Sequence, residues 1–315
     1  MTFPSRQRLS QIITVIIGFI LFSLSVWTIS KEFRQYHPHQ ILESLTAIPA
    51  QSLLIAVGLT LLNYLMLTGY DTLAVRLVRH SLTYRQTALV AVISYAISNS
   101  VGFALLSSSA IRYRFYSRWG LSALKIAQII AFCNLSFWLG IFALGGVLFL
   151  LYPPPIPDLL HLPFDSVHSL GILFLSCVLG YLGWSAVNTK KRLRIGNWEL
   201  PHIPLKLALS QIIVTAADWA LVAGLLYLFL PQTISISYPS FFSIYLLAQL
   251  AGIISHVPGG LGVFETVILL LLSPAVASAD LLGALLVYRA IYYFLPLAIA
   301  LLLLSLYESK QRFGR

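Results

Sequence analysis

The chain has 315 residues, of which 58% are hydrophobic and only 10% charged, with a mean hydropathy of +0.86. A soluble domain carries about 25% charged residues, so this composition excludes a water-soluble enzyme and points to a polytopic membrane protein. The formal charge of +10 does not point to nucleic acid, because the basic residues fall in short loops between apolar runs, the pattern of loops facing anionic lipid.

In chain order, Arg6 and Arg8 precede an apolar run over 11–29. That run is too long for the core of a signal peptide, and Lys31-Glu32-Phe33-Arg34 follows with no small-x-small cleavage site, so an uncleaved first span is expected. Five more runs reach the roughly 20 apolar residues that a span needs: 51–70, 122–151, 166–187, 207–230 and 281–305. Two further apolar stretches, 87–111 and 240–273, are interrupted. The first holds Ser98-Asn99-Ser100-Val101-Gly102 and then Ser107-Ser108-Ser109, and the second holds Pro258-Gly259-Gly260. Pro lacks an N–H and Gly gives up the most backbone entropy, so neither continues a helix cheaply. A broken helix at membrane depth persists only where it is buried in protein or lines a wet cavity.

Charge predicts how the interrupted stretches lie. Arg76, Arg79 and Arg85 precede the first, and Arg112, Arg114, Arg118 and Lys125 follow it. A full crossing would put one basic cluster outside, against the positive-inside rule, whereas a re-entrant hairpin keeps both in the cytoplasm. The second stretch lies between loops 231–239 and 273–280, neither of which has Lys or Arg, as expected of a hairpin entering from outside. Lys190, Lys191, Arg192, Arg194, Lys206, Lys310, Arg312 and Arg315 then fall inside, the Pro-rich stretch 152–163 falls outside, and only Lys31 and Arg34 dissent, accompanied by Glu32 and Glu43. Both termini are expected in the cytoplasm.

The expected fold is all-α: six full spans plus two opposed re-entrant hairpins in one membrane domain over 1–315. Each half, 11–151 and 166–305, reads as span, span, hairpin, span. An odd number of crossings per half turns the halves opposite ways. First spans begin at 11 and 166, second spans at 51 and 207, an offset of about 155 to 157, and the breaks fall near Asn99 and Val257. This is the inverted-repeat layout of secondary transporters, whose site forms where broken helices meet.

The candidate site residues follow from the cost of polar groups at that depth. Glu265, just past the Pro-Gly-Gly break, suits the first turn of a half-helix, but an intramembrane acid costs at least ~2.5 kcal/mol unless paired or hydrated. Asp218 lies midway along 207–230, with Gln211 two turns earlier and Asn63 as its counterpart by offset. Arg289 is the partner expected for one of them, as a Glu265–Arg289 or an Asp218–Arg289 pair. The two acids are assigned to cationic parts of a lipid headgroup, and Arg289 to a phosphate or to the acids when the site is empty. Arg112 and Arg114 are candidates for a phosphate, with ordinary flanking charge as the plain alternative. His256, Gly259 and Gly260 at one break and Asn99 at the other complete the set, the backbone N–H groups after Ser98 favouring an anionic group. Tyr292, Tyr293 and Pro296 read as packing and kink residues.

No P-loop, no His-Glu-x-x-His and no paired-cysteine framework occurs, Cys133 and Cys177 both lying in apolar segments. Neither a metal nor a cofactor is expected, and no nucleotide-driven step. An intramembrane lipid transferase with His256 or Glu265 as general base is the competing class, and a membrane subunit of a separate synthase is a third.

Three motifs together carry a resemblance: Ser255-His256-Val257-Pro258-Gly259-Gly260-Leu261-Gly262-Val263-Phe264-Glu265; Asn99-x-x-Gly102-Phe103-Ala104-Leu105-Leu106 with Ala110-Ile111-Arg112-Tyr113-Arg114; and Tyr288-Arg289-x-x-Tyr292-Tyr293-x-x-Pro296. In this order they resemble the membrane region of the bacterial lysylphosphatidylglycerol synthase/flippase (multiple peptide resistance factor) family. One departure is Ser108, where the family pattern has Gly. The resemblance implies translocation of an aminoacylated phospholipid, or a related phospholipid or glycolipid, from inner to outer leaflet of the plasma (inner) membrane. The cytosolic synthase domain that follows this region in the family has no counterpart in these 315 residues, so lipid transport without lysyl transfer is expected. A second copy of the chain and a separate synthase are the protein partners it leaves open.

Overall fold

The structure, a computed structural model, describes residues 46, 48–101, 104–155, 166–187, 193–195, 198–200, 202–231, 234–255, 257–272 and 278–313. The expected first span at 11–29 with Lys31, Glu32, Arg34 and Glu43, the residues Gly102 and Phe103, and His256 lie outside these. So do Lys190, Lys191, Arg192 and most of the Pro-rich loop.

The described chain is helical apart from one short hairpin. In order it runs α1 (Ala50–Leu77), α2 (Tyr84–Val101), α3 (Ala104–Arg118), α4 (Ala123–Leu151), α5 (His168–Val187), β1 (Leu193–Ile195), β2 (Trp198–Leu200), α6 (Leu205–Tyr227) and α7 (Tyr238–Ile254). A 3-10 turn (Pro258–Gly260), α8 (Val263–Leu272), α9 (Ser278–Arg289), a π-turn (Ala290–Phe294) and α10 (Leu295–Phe313) follow. β1 and β2 pair antiparallel, Leu193 opposite Leu200, an addition to the all-α expectation within the basic loop.

Five helices are long and apolar enough to cross a membrane: Ala50–Leu77, Ala123–Leu151, His168–Val187, Leu205–Tyr227 and the continuous Ala279–Ser309. Each contains or nearly matches one expected run. The largest difference is α1, which continues seven residues beyond the expected 51–70. No Gly or Pro falls in 71–78, and Arg79 turns the chain at φ 48°.

Local chemistry sets the helix starts. Thr83 and Gln86 cap α2 reciprocally, Thr83 N–H donating to Gln86 Oε1 at 2.9 Å and Gln86 N–H to Thr83 Oγ1 at 3.4 Å, a capping box. Ser122 and Ser237 cap α4 and α7, accepting from Lys125 N and Ser240 N, and Pro49 and Pro204 hold the extended conformation before α1 and α6. Within the apolar helices Thr60, Thr72, Ser136 and Ser176 each donate to a carbonyl four residues back, which satisfies a hydroxyl where no water is at hand.

Both interrupted stretches double back. The legs of the first, α2 and α3, pack on one another, as do α7 and α8 of the second. The four chain segments at the open end of the first hairpin gather together. Thr68 Oγ1 meets the Tyr84 hydroxyl at 2.9 Å and Thr72 Oγ1 meets Thr87 Oγ1 at 3.1 Å, so the end of α1 lies beside the start of α2. Arg114, near the end of α3, pairs with Glu308, near the end of α10. The open end of the second hairpin lies against the other end of α6, the Tyr227 and Tyr238 hydroxyls donating to Ile236 O and Ala220 O. α1 packs on α6 along its length, α2 on α10, and α4 on α5 and α6.

Candidate functional site

The two breaks meet. A Cβ built on Gly259 would stand 3.5 Å from Asn99 O and 3.7 Å from Ser100 O, and Ser100 Oγ lies 3.0 Å from Ala96 O and 3.2 Å from Tyr293 O. The last contact falls within the π-turn. Pro296 has no N–H for Tyr292 O, four residues earlier, and its ring crowds that position. The helix widens there, with Leu295 N–H reaching back five residues to Ala290 O, and the adjacent Tyr293 O takes a hydroxyl from the other hairpin.

Arg289, at the end of α9 beside this turn, clamps the second break. Its Nε donates to Glu265 Oε1 at 2.7 Å, its Nη2 lies 2.6 Å from the same oxygen, and its Nη1 donates to Gly259 O at 3.0 Å. The other carboxylate oxygen, Glu265 Oε2, accepts from Gly262 N–H at 2.9 Å, so one acid caps the first turn of α8 and neutralises the arginine together. The guanidinium stands over the rings of Tyr293, 4.5 Å from its centroid, and Phe264, 5.8 Å. The Arg289 side chain is 4% exposed and that of Glu265 13%, so the acid is the more open member of the pair.

The glycines are required by shape. Gly259 and Gly260 have φ of +61° and +63°, left-handed values that cost an L-residue roughly 1–2 kcal/mol. Gly260 also lies against Gly252 of α7, where an added Cβ would come 3.3 Å from Gly252 Cα, and the hairpin closes on that contact.

Beside the clamp is a core of buried tyrosines. Tyr245 and Tyr288 share a hydroxyl–hydroxyl bond of 2.8 Å, and Gln249 Nε2 donates to Tyr245 at 2.9 Å. Tyr292 stacks on Tyr288 at 5.6 Å and meets Tyr64 edge-on at 6.2 Å. Asp218 borders this core. Its Oδ2 accepts from the Tyr70 hydroxyl at 2.6 Å, and its Oδ1 and main-chain O accept from Asn63 Nδ2 at 2.7 and 2.9 Å. Of the two pairs offered by the sequence, Arg289 therefore makes the one with Glu265, and Asp218 is held by neutral donors, closed off from any headgroup in this conformation.

Arg112 is also closed. It is 1% exposed and forms a two-pronged pair with Asp71, Nε to Oδ1 at 2.9 Å and Nη2 to Oδ2 at 2.8 Å. Tyr116 donates a third bond to Asp71 Oδ1 at 2.8 Å and Tyr95 lies 4.9 Å beneath the guanidinium. Buried and paired with Asp71, Arg112 presents no exposed charge to a phosphate in this conformation. Asp71 escaped the sequence reading because it stands one residue past the apolar run. The uninterrupted Thr72-Leu73-Ala74-Val75 after it was the available sign that the helix goes on. Tyr70, Tyr95 and Tyr245 were likewise passed over, since one tyrosine among 16 carries no mark of its partner. Among the described residues no group of three or more metal-binding side chains occurs.

A family model described as the lysylphosphatidylglycerol synthase TM region matches residues 13–300. An uncharacterized protein of Synechocystis sp. is 51% identical over 97% of the chain and 94% of its own length. The inner membrane protein YbhN of Escherichia coli is 33% identical over 83% of the chain and 81% of its own. A phosphatidylglycerol lysyltransferase of Staphylococcus haemolyticus is 26% identical over 96% of the chain, which spans 35% of that longer protein.

Proposed function

The chain belongs to the family of the lysylphosphatidylglycerol synthase transmembrane region, and from that premise we propose that it is a lipid translocase. It moves the headgroup of a phospholipid or glycolipid between leaflets by alternating access while the acyl tails stay in lipid. The observation that carries this reading is the meeting of two broken helices around the Glu265–Arg289 clamp. Freed backbone, paired charge and aromatic lining together describe a transporter site at mid-depth.

The geometry supports re-entrant hairpins. α8 has 10 residues, about 15 Å of helix against a hydrocarbon core of about 30 Å. The open end of the α2–α3 hairpin, with Arg76, Arg79, Arg85, Arg114 and Arg118, shares one end of the molecule with Glu308 of α10; basic residues at that density mark the cytoplasmic side. The α7–α8 hairpin then enters from the opposite face, both termini are cytoplasmic and residues 11–151 and 166–305 form inverted halves. The inner membrane named for YbhN is the membrane this topology suits.

Glu265, the more open member of the clamp, receives the cationic part of the headgroup. Arg289, released from it, takes the phosphate. Gly259, Gly260 and Asn99 supply backbone contacts at the meeting point. Phosphatidylglycerol, the lipid in the lysyltransferase's name, carrying an amino-acyl amine, presents this combination of charges.

Vesicles reconstituted with the protein and a fluorescent aminoacyl phospholipid test the reading. Wild type is expected to exchange the lipid between leaflets, and Glu265→Gln, which keeps an acceptor for the Gly262 N–H, to slow exchange about tenfold or more while eluting as a folded, monodisperse protein. No exchange by wild type, or equal exchange by Glu265→Gln, rejects the assignment. A change in lipid mass places the protein with the transferases instead.

A further inference from the structure

We infer that Asp218 is a proton-binding site in the seam between α1 and α6, and that its protonation is coupled to translocation; the coupling half of this inference rests on the translocase reading above, the proton site does not.

Three acids lie within the helical bundle, Asp71 and Asp218 buried and Glu265 partly so. Asp71 is held by Arg112 and Glu265 by Arg289. Asp218, 5% exposed in the middle of α6, has no cation among the described residues. Its donors are one phenol and one amide. Taking a proton onto Asp71 or Glu265 would strand an arginine in the interior, at a cost of several kcal/mol. Taking one onto Asp218 strands nothing.

The surroundings provide for both forms. The Tyr70 and Asn63 donors serve the carboxylate. Asn63 Oδ1, on the amide that already touches the carboxylate, is buried with no hydrogen-bond partner among the described residues. Buried oxygens seldom stay unpaired, and a protonated Asp218 is a new donor beside it. The titratable groups that face the carboxyl are phenols: Tyr70 and Tyr64 of α1, Tyr95 of α2, Tyr245 of α7 and Tyr292 of the π-turn. The remaining neighbours of α6 bring groups already engaged elsewhere. Cys133 of α4 sits with Asp71 and Arg112, Tyr181 of α5 donates to Gln211, and Tyr288 and Arg289 of α9 are held by Tyr245 and Glu265.

Coupling follows from where the carboxyl sits. Its bonds to Tyr70 and Asn63 fasten α1 to α6, and charge-assisted bonds are roughly twice as strong as neutral ones. A proton arriving from water on one side converts the carboxylate to a neutral acid and weakens that fastening; its release to the other side restores it. From the seam, Tyr64, Tyr292, Tyr288 and Phe264 stand ring against ring as far as the clamp, at centroid spacings of 6.2, 5.6 and 6.1 Å, so a shift of α1 on α6 is passed to the breaks by packed rings.

Two measurements on the reconstituted chain test this. Infrared difference spectra between acid and neutral pH are expected to show a carboxylic C=O band in wild type that vanishes in Asp218→Asn and persists with a displaced midpoint in Tyr70→Phe, which retains the acid should Asp218→Asn fail to fold. Absence of the band in wild type, its persistence in Asp218→Asn, or an unmoved midpoint in Tyr70→Phe overturns the proton site. An imposed pH gradient is expected to raise wild-type lipid flux about fivefold or more and to leave Asp218→Asn indifferent; an equal response in both overturns the coupling. A titrating band in vesicles that move no lipid at any gradient keeps the proton site and sinks the translocase reading, and the coupling with it.

Discussion

Asn63 of α1 donates to the carboxylate of Asp218 of α6, and the two residues stand 155 positions apart, the offset proposed between the two halves of the chain. A residue touches its own counterpart only near the axis that relates them, since the separation of symmetry mates grows with distance from it. Under the proposed inverted repeat, the two-fold would run through this seam. Replacing Asn63 with Leu is expected to destabilise the protein by about 1–3 kcal/mol, because Asp218 Oδ1 loses its donor in a buried setting. Thermal unfolding in detergent measures it, and an unchanged melting temperature argues against a tight seam.

The Asp71–Arg112 pair is structural in this conformation. Asp71→Leu or Arg112→Met alone is expected to cost about 3–5 kcal/mol, each leaving one buried charge without its partner, whereas the two together recover most of that loss. Denaturation of the two single variants and the double variant forms a closed cycle; additive losses would mean that the pair is not coupled.

Conformation, more than space, makes Gly259 glycine, and for Gly260 it is both. Gly259→Asn, tolerant of positive φ, is expected to be milder than Gly259→Ala at roughly 1–2 kcal/mol, and Gly260→Ala to be worse than either because its Cβ presses on Gly252. Melting temperatures rank the three. The reverse order would place the strain elsewhere.

Topology is open to labelling. After Cys133 and Cys177 are replaced by Ala, single cysteines at the exposed positions Arg85 and Ser117 are expected to react only with reagent reaching the cytoplasmic side, and one at Ser237 only from outside. Labelling of Arg85→Cys and Ser117→Cys from opposite sides would turn the first hairpin into a crossing segment.

Much of this architecture is written locally. Runs of apolar residues delimit the membrane-length helices, Pro258-Gly259-Gly260 marks one break, and arginines around 76–85 and 112–118 bracket the other interrupted stretch. These features act through solvation and backbone sterics, which each short segment experiences by itself. Glu265, Arg289 and Asp218 stood out for the same reason, as charges where the bilayer penalises them. Which of them pair was beyond that reach. Arg289 finds Glu265 24 positions away, Asp71 finds Arg112 41 away, and Asp218 finds Tyr70 148 away; only helix packing sets those distances. The tertiary structure thus placed Arg112 against Asp71, brought Asp71 and the tyrosines into view, and left Asp218 as the buried acid without a cation among the described residues, because ion pairing depends on which side chains come within a few ångströms and a linear order of residues does not contain that.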